Sequence, residues 1–135
     1  MPYPLSFRLR HAFNPSDRGV TVPVSLSSGP VTVQLFANVD TGAEYCFFKR
    51  AYAEELRIEV EQRKDSPVST VAGNFRAYGH ELTLAVLGIE VHAVVYFYAD
   101  PSVSRDVLGR NGWLNRVRLG LVDHDSFLYL SAYDD

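Results

Sequence analysis

Along most of this chain apolar and polar positions alternate with a period of two, and that alternation predicts strands. Leu5-Ser6-Phe7-Arg8-Leu9 alternates like a strand with one wet face. Val20-Thr21-Val22-Pro23-Val24-Ser25-Leu26 alternates again, and Pro23 points to an edge or a bulge. Between them Asn14-Pro15-Ser16-Asp17-Arg18-Gly19 is a cluster of turn formers. Ser27-Ser28-Gly29-Pro30 breaks the chain once more, ahead of Val31-Thr32-Val33-Gln34-Leu35-Phe36-Ala37-Asn38-Val39, which reads as a buried strand.

The period then changes. Phe48, Tyr52 and Leu56 fall at i, i+4 and i+8, with Lys49, Arg50, Glu54 and Glu55 on the other faces, so a short amphipathic helix is expected. Ile58-Glu59-Val60 looks extended, and Gln62 to Pro67 reads as an exposed loop. Val68 to Tyr78 reads as two short strands around a small-residue tip, Gly73-Asn74, which suits a hairpin turn. Glu81 to Leu87 and Glu90 to Tyr98 form a second hairpin about Gly88. Two last strands, around Val117 to Val122 and Phe127 to Ala132, flank the turn Asp123 to Ser126. The expectation is an all-β domain with one or two short helices, occupying residues 1–135 as one unit.

Composition narrows the function classes. Of 135 residues 47% are apolar and 21% charged, the profile of a globular protein with a real core. A net charge of -3 leaves no electrostatic footprint for nucleic acid. No apolar run has the length of a membrane span, and Met1-Pro2-Tyr3-Pro4 lacks a signal-peptide pattern, so a cytoplasmic location is expected. Cys46, between Tyr45 and Phe47, reads as a small buried hydrophobe. His11, His80, His92 and His124 are far apart, and neither a metal nor a cofactor is expected.

One stretch carries chemistry. Asp40-Thr41-Gly42-Ala43 puts a carboxylate on a tight turn at the end of an apolar strand, where Gly42 allows close backbone approach. A second element, Val107-Leu108-Gly109 followed by Arg110-Asn111, comes about 65 residues later. With the intervening hairpin, the pattern resembles the retropepsin-like (retroviral-type) aspartic proteases, in particular short bacterial single-domain members. The resemblance covers roughly residues 20 to 133 and implies their β-barrel acid-protease fold.

Residue by residue, the resemblance implies a catalytic role for Asp40. Thr41 would bond across to the partner subunit's loop, and Gly42 would offer its N–H to the carboxylate. Ala43 and Glu44, with the flap residues Gly73, Asn74 and Phe75, would bind substrate. Gly109 would pack beneath the loop, and Arg110 would pair with Glu44, which stands where retroviral enzymes have Asp. Asp100, Asp106, Asp123, Asp125, Asp134 and Asp135 read as solvated surface, and Trp113 as a core anchor.

Hydrolysing a peptide bond through water needs one carboxylate as base and a second, protonated carboxyl nearby. A chain with a single Asp-Thr-Gly supplies half of that pair, so the resemblance implies a homodimer acting on peptide or protein substrates. Leu5 to Leu9 and Phe127 to Tyr133 are candidate interface segments. Two other readings stand beside it: a catalytically silent dimerisation or peptide-binding module of the same fold, and a monomeric small-ligand barrel.

Overall fold

The computed structural model describes residues 1–61 and 69–135, so the loop expected at Gln62 to Pro67 lies outside the described residues. The strands are β1 (Leu9–Ala12), β2 (Thr21–Ser28), β3 (Val31–Val39), β4 (Phe47–Phe48), β5 (Ser69–Ala72), β6 (Phe75–Val86), β7 (Ile89–Tyr98), β8 (Val107–Leu108), β9 (Val117–Val122) and β10 (Phe127–Ala132), with one helix, α1 (Arg50–Glu55). The fold is all-β. No helix among the described residues is long and apolar enough to cross a membrane.

The larger sheet has the order β2-β3-β8-β4-β7-β6-β5, and a further β2–β6 pairing closes it into a ring. Val22, Val24 and Leu26 of β2 point into that ring together with Leu82, Leu84 and Val86 of β6, all of them buried. Pro23 is tolerated because β6 pairs only with Val24 to Ser27, so the Pro23 end of β2 has β3 as its ladder partner. β3 is less buried than its composition implies: Thr32, Gln34 and Phe36 face outward, and Phe36 is 67% exposed. Its inward residues Leu35 and Ala37 still join the core.

Two elements depart from the local pattern. The strands expected on either side of Gly79-His80 are one continuous strand, β6, whose register with β7 runs unbroken from Ala77↔Tyr98 to Val86↔Ile89. Gly79 interrupts the alternation for a packing reason, since a Cβ there would lie 3.0 Å from Val94 and 3.1 Å from the Tyr96 ring. Phe48, expected on the helix, belongs instead to β4, where Phe47 and Phe48 pair in parallel with Tyr96 and Phe97. The helix begins two residues later, and Ala53 and Leu56 carry its buried side.

The hairpin turn at residues 87–88 has positive φ at both central residues, 52° at Leu87 and 84° at Gly88, the geometry that matches strand twist. β1, β10 and β9 form a separate three-stranded antiparallel sheet with β10 in the middle. The first strand lies later than its alternation suggests, pairing from Leu9↔Leu130, while Leu5 is exposed. Arg8 N–H donates to Ser131 Oγ (2.7 Å), and its guanidinium holds the Asp135 carboxylate at 2.5 and 2.6 Å. Asp135 is therefore an ion-pair partner rather than free surface, and the Arg8 hydrogen bond lowers its pKa. Trp113 is buried in the core, as expected.

Candidate active site

Asp40 follows directly from the last residue of β3. The parallel β3–β8 pairing, Asn38↔Val107 and Val39↔Leu108, is continued by a hydrogen bond from Asp40 N–H to the Leu108 carbonyl (3.0 Å). The chain then turns sharply. Gly42 N–H donates to Asp40 Oδ1 (2.9 Å), and Ala43 N–H to the Asp40 carbonyl (3.2 Å). One carboxylate oxygen is thus held by the backbone, and the other, Oδ2, lies 3.9 Å from the Arg105 guanidinium.

The far side of the loop is tied to the chain after β8. Arg110 N–H donates to the Ala43 carbonyl (2.9 Å) and Asn111 N–H to the Glu44 carbonyl (2.8 Å), while the Asn111 side-chain amide donates to the same oxygen (2.9 Å). Gly109 lies beneath: a Cβ there would sit 2.1 Å from the Tyr45 carbonyl oxygen and 2.8 Å from that of Ala43. Cys46 is buried beside it, its Sγ 3.4 Å from Gly109 N, and burial pushes its thiol up to about 11, so it is an inert neutral group at pH 7.

A cavity of about 520 Å³ opens above the loop. Asp40, Ala43 and Glu44 line one side and Val71, Ala72, Gly73, Asn74 and Phe75, from the β5–β6 hairpin, line another. Its floor is apolar, from a second buried cluster that includes Phe47, Tyr98 and Val103, with the Phe47 and Tyr98 rings stacked at 5.7 Å. Such a cleft, apolar with a few convergent polar groups, is the usual form of a ligand site. Among the described residues no group of three or more His, Cys, Asp or Glu side chains converges as a metal site would require.

The family model described as aspartyl protease matches residues 22–111, a span that runs from β2 through the Asp40 loop to Asn111. The chain belongs to the aspartyl protease family. Among solved structures it is similar to EIAV protease complexed with an inhibitor, at 18% identity over 70% of this chain and 85% of that one, with a TM-score of 0.47. Among curated proteins none matches it. The resemblance carried by Asp40-Thr41-Gly42-Ala43 and Val107-Leu108-Gly109-Arg110 is thus to the family the aspartyl protease model describes.

Of the residues singled out in this aspartyl protease chain, Asp40, Ala43, Glu44, Gly73, Asn74 and Phe75 share the cavity. Thr41 and Gly42 are exposed at the loop crest, and Gly109 is buried under it. Arg110 is exposed, and no ion pair joins it to Glu44 among the described residues; the two segments meet through their backbones. Asp106 departs from the solvated-surface expectation. Its Oδ1 accepts the Lys49 N–H (3.1 Å) and its carbonyl accepts the Asn38 N–H (2.9 Å), and burial raises its pKa. Sequence reasoning missed Tyr45, Phe47, Tyr98, Val103 and Arg105 as cavity residues. Arg105 lies in an irregular loop with no periodic signal, so only its distance to Asp40 reveals it.

Proposed function

We propose that the protein is an aspartic endopeptidase that works as a homodimer, with Asp40 of two chains forming one catalytic pair. One observation carries this reading. Asp40 stands in an open cleft with Oδ1 held by Gly42 N–H and Oδ2 free of backbone bonds. The sequence contains a single Asp-Thr-Gly. In such a pair, two carboxyls about 3 Å apart share a proton because both cannot ionise together. The ionised one takes a proton from water as that water attacks the peptide carbonyl carbon. The protonated one donates to the carbonyl oxygen, giving a gem-diol without a covalent enzyme intermediate.

The loop's exposed crest at Thr41 is suited to a second copy of the loop. The Gly73 hairpin borders the same cavity and is suited to close over an extended peptide. Purified wild-type protein is expected to sediment as a dimer and to cleave members of a peptide library between acid and neutral pH. Asp40→Asn should lower kcat/KM by about a thousandfold or more while keeping the dimer and the melting temperature. Equal cleavage by both proteins would remove the role of Asp40, and a monomer that cleaves would remove the paired-carboxyl mechanism. A dimer that binds peptides without cleaving any would favour the silent binding module instead.

A further inference from the structure

Arg105 has no role in the chemistry just proposed, yet its guanidinium lies beside the acid on which that chemistry depends. It lines the same cavity as Asp40, together with Tyr98, Val103 and Val107, and its Nη2 is 3.9 Å from Asp40 Oδ2. We infer that Arg105 selects peptides with a carboxylate side chain on a residue flanking the scissile bond. This rests on the peptidase reading, which puts the cleaved bond at Asp40 and its neighbouring side chains within a few ångströms of Arg105.

Three observations support the assignment. First, the donors of Arg105 are uncommitted. Arg8 holds Asp135, Arg50 holds Glu61 and the Ala99 carbonyl, and Arg118 holds the Ser6 and Asp135 carbonyls. Arg105 makes no hydrogen bond among the described residues, and its side chain is 71% exposed. Its fork of donors matches a carboxylate in a way that a point charge would not.

Second, Asp40 does not satisfy it. The separation of 3.9 Å exceeds a hydrogen bond, and Asp40 Oδ1 is already taken by Gly42. In a dimer the two Asp40 carboxyls would share a proton and carry one negative charge, while two Arg105 side chains bring two positive charges. Glu44, the other acid lining the cavity, forms no ion pair with Arg105 among the described residues. Third, the floor beneath is buried and apolar (Tyr98, Val103, Val107), so it brings no charged group to compete for a bound carboxylate.

The test uses peptides differing only by Glu, Gln or Lys at each residue flanking the cleaved bond. Wild type is expected to prefer Glu by about tenfold in kcat/KM at one of these positions. In Arg105→Gln the Glu-to-Gln ratio should fall to near one, and Arg105→Glu should shift the preference toward Lys. A wild-type preference that Arg105→Gln leaves unchanged overturns the inference, while the peptidase reading stands. Fluorescence anisotropy of the same peptides with Asp40→Asn separates the two failures. If wild type cleaves nothing, the peptidase reading falls. A Glu preference in binding that disappears in the Asp40→Asn, Arg105→Gln double variant still supports selection by Arg105. No Glu preference in either assay overturns it.

Discussion

The Asp40 loop and the Gly73 hairpin border one cavity and are held in opposite ways. The loop is fastened on two sides, by Asp40 N–H to Leu108 and by the Arg110 and Asn111 N–H groups to Ala43 and Glu44, and Gly109 fits beneath it with no spare room. Among the described residues, no comparable backbone hydrogen bonds tie the tip at Gly73-Asn74 to another segment. A Cβ on Gly73 would meet nothing within 4 Å, and Val71 and Phe75 are exposed. β5 pairs with β6 at the outer end of the larger sheet. The pairing of two Asp40 carboxyls proposed above would need the first kind of support. The closing hairpin proposed above would need the second, with local opening at low cost.

Substitutions on the two sides should therefore separate widely. The largest effect belongs to Gly109→Ala, because the contact at 2.1 Å is with backbone that cannot rotate away. It should cost about 3 kcal/mol or more in urea unfolding, or prevent folding altogether. A loss below about 1 kcal/mol would mean that the loop is not locked from below.

Gly73→Ala tests the opposite side. The residue has φ of 63° and open space around it, so the cost is backbone strain alone, about 1 kcal/mol. Amide exchange should show that loss within β5 and the start of β6 and leave the Asp40 loop unchanged. Faster exchange at Ala43 or Arg110 would show the two sides to be coupled.

The smallest effect, within about 1 kcal/mol, is expected for Asp106→Asn, which keeps an acceptor for the Lys49 N–H and removes the charge. Burial raises the Asp106 pKa above its unfolded value of 3.8, so the folded state binds this proton more tightly. That contribution is fully present below 3.8 and is lost as pH rises through the higher folded value. Stability of wild type relative to Asp106→Asn should fall as pH rises from 3.8 upward, and a constant difference would refute the buried carboxyl.

Local pattern revealed the elements whose reasons are local. β2 and β10 alternate because one face of each meets the core, and the turn at Leu87-Gly88 is spelled by its glycine. Gly73-Asn74 likewise marks the tip between β5 and β6. The two-residue strands β4 and β8 were illegible as strands, since neither is long enough to show a period. They exist because Phe47, Phe48, Val107 and Leu108 find ladder partners distant in sequence. Phe48 was assigned to the helix for the same reason. The candidate interface segments were open in both senses: β1 and β10 pair with each other inside the chain, and Leu5 stays exposed before them.

Asp40-Thr41-Gly42-Ala43 and Val107-Leu108-Gly109-Arg110 announced the family from residue identities, because a tight carboxylate turn and a glycine beneath it demand those residue types. The neighbours of that turn were another matter. Glu44 and Arg110 looked like an ion pair and, among the described residues, meet through their backbones, whereas Arg105, unremarked in its loop, brings its guanidinium to 3.9 Å from Asp40. Spacing along a chain records what each residue needs of its own backbone. Distances between side chains, such as the 3.9 Å between Arg105 and Asp40, depend on how segments distant in sequence pack across the whole barrel.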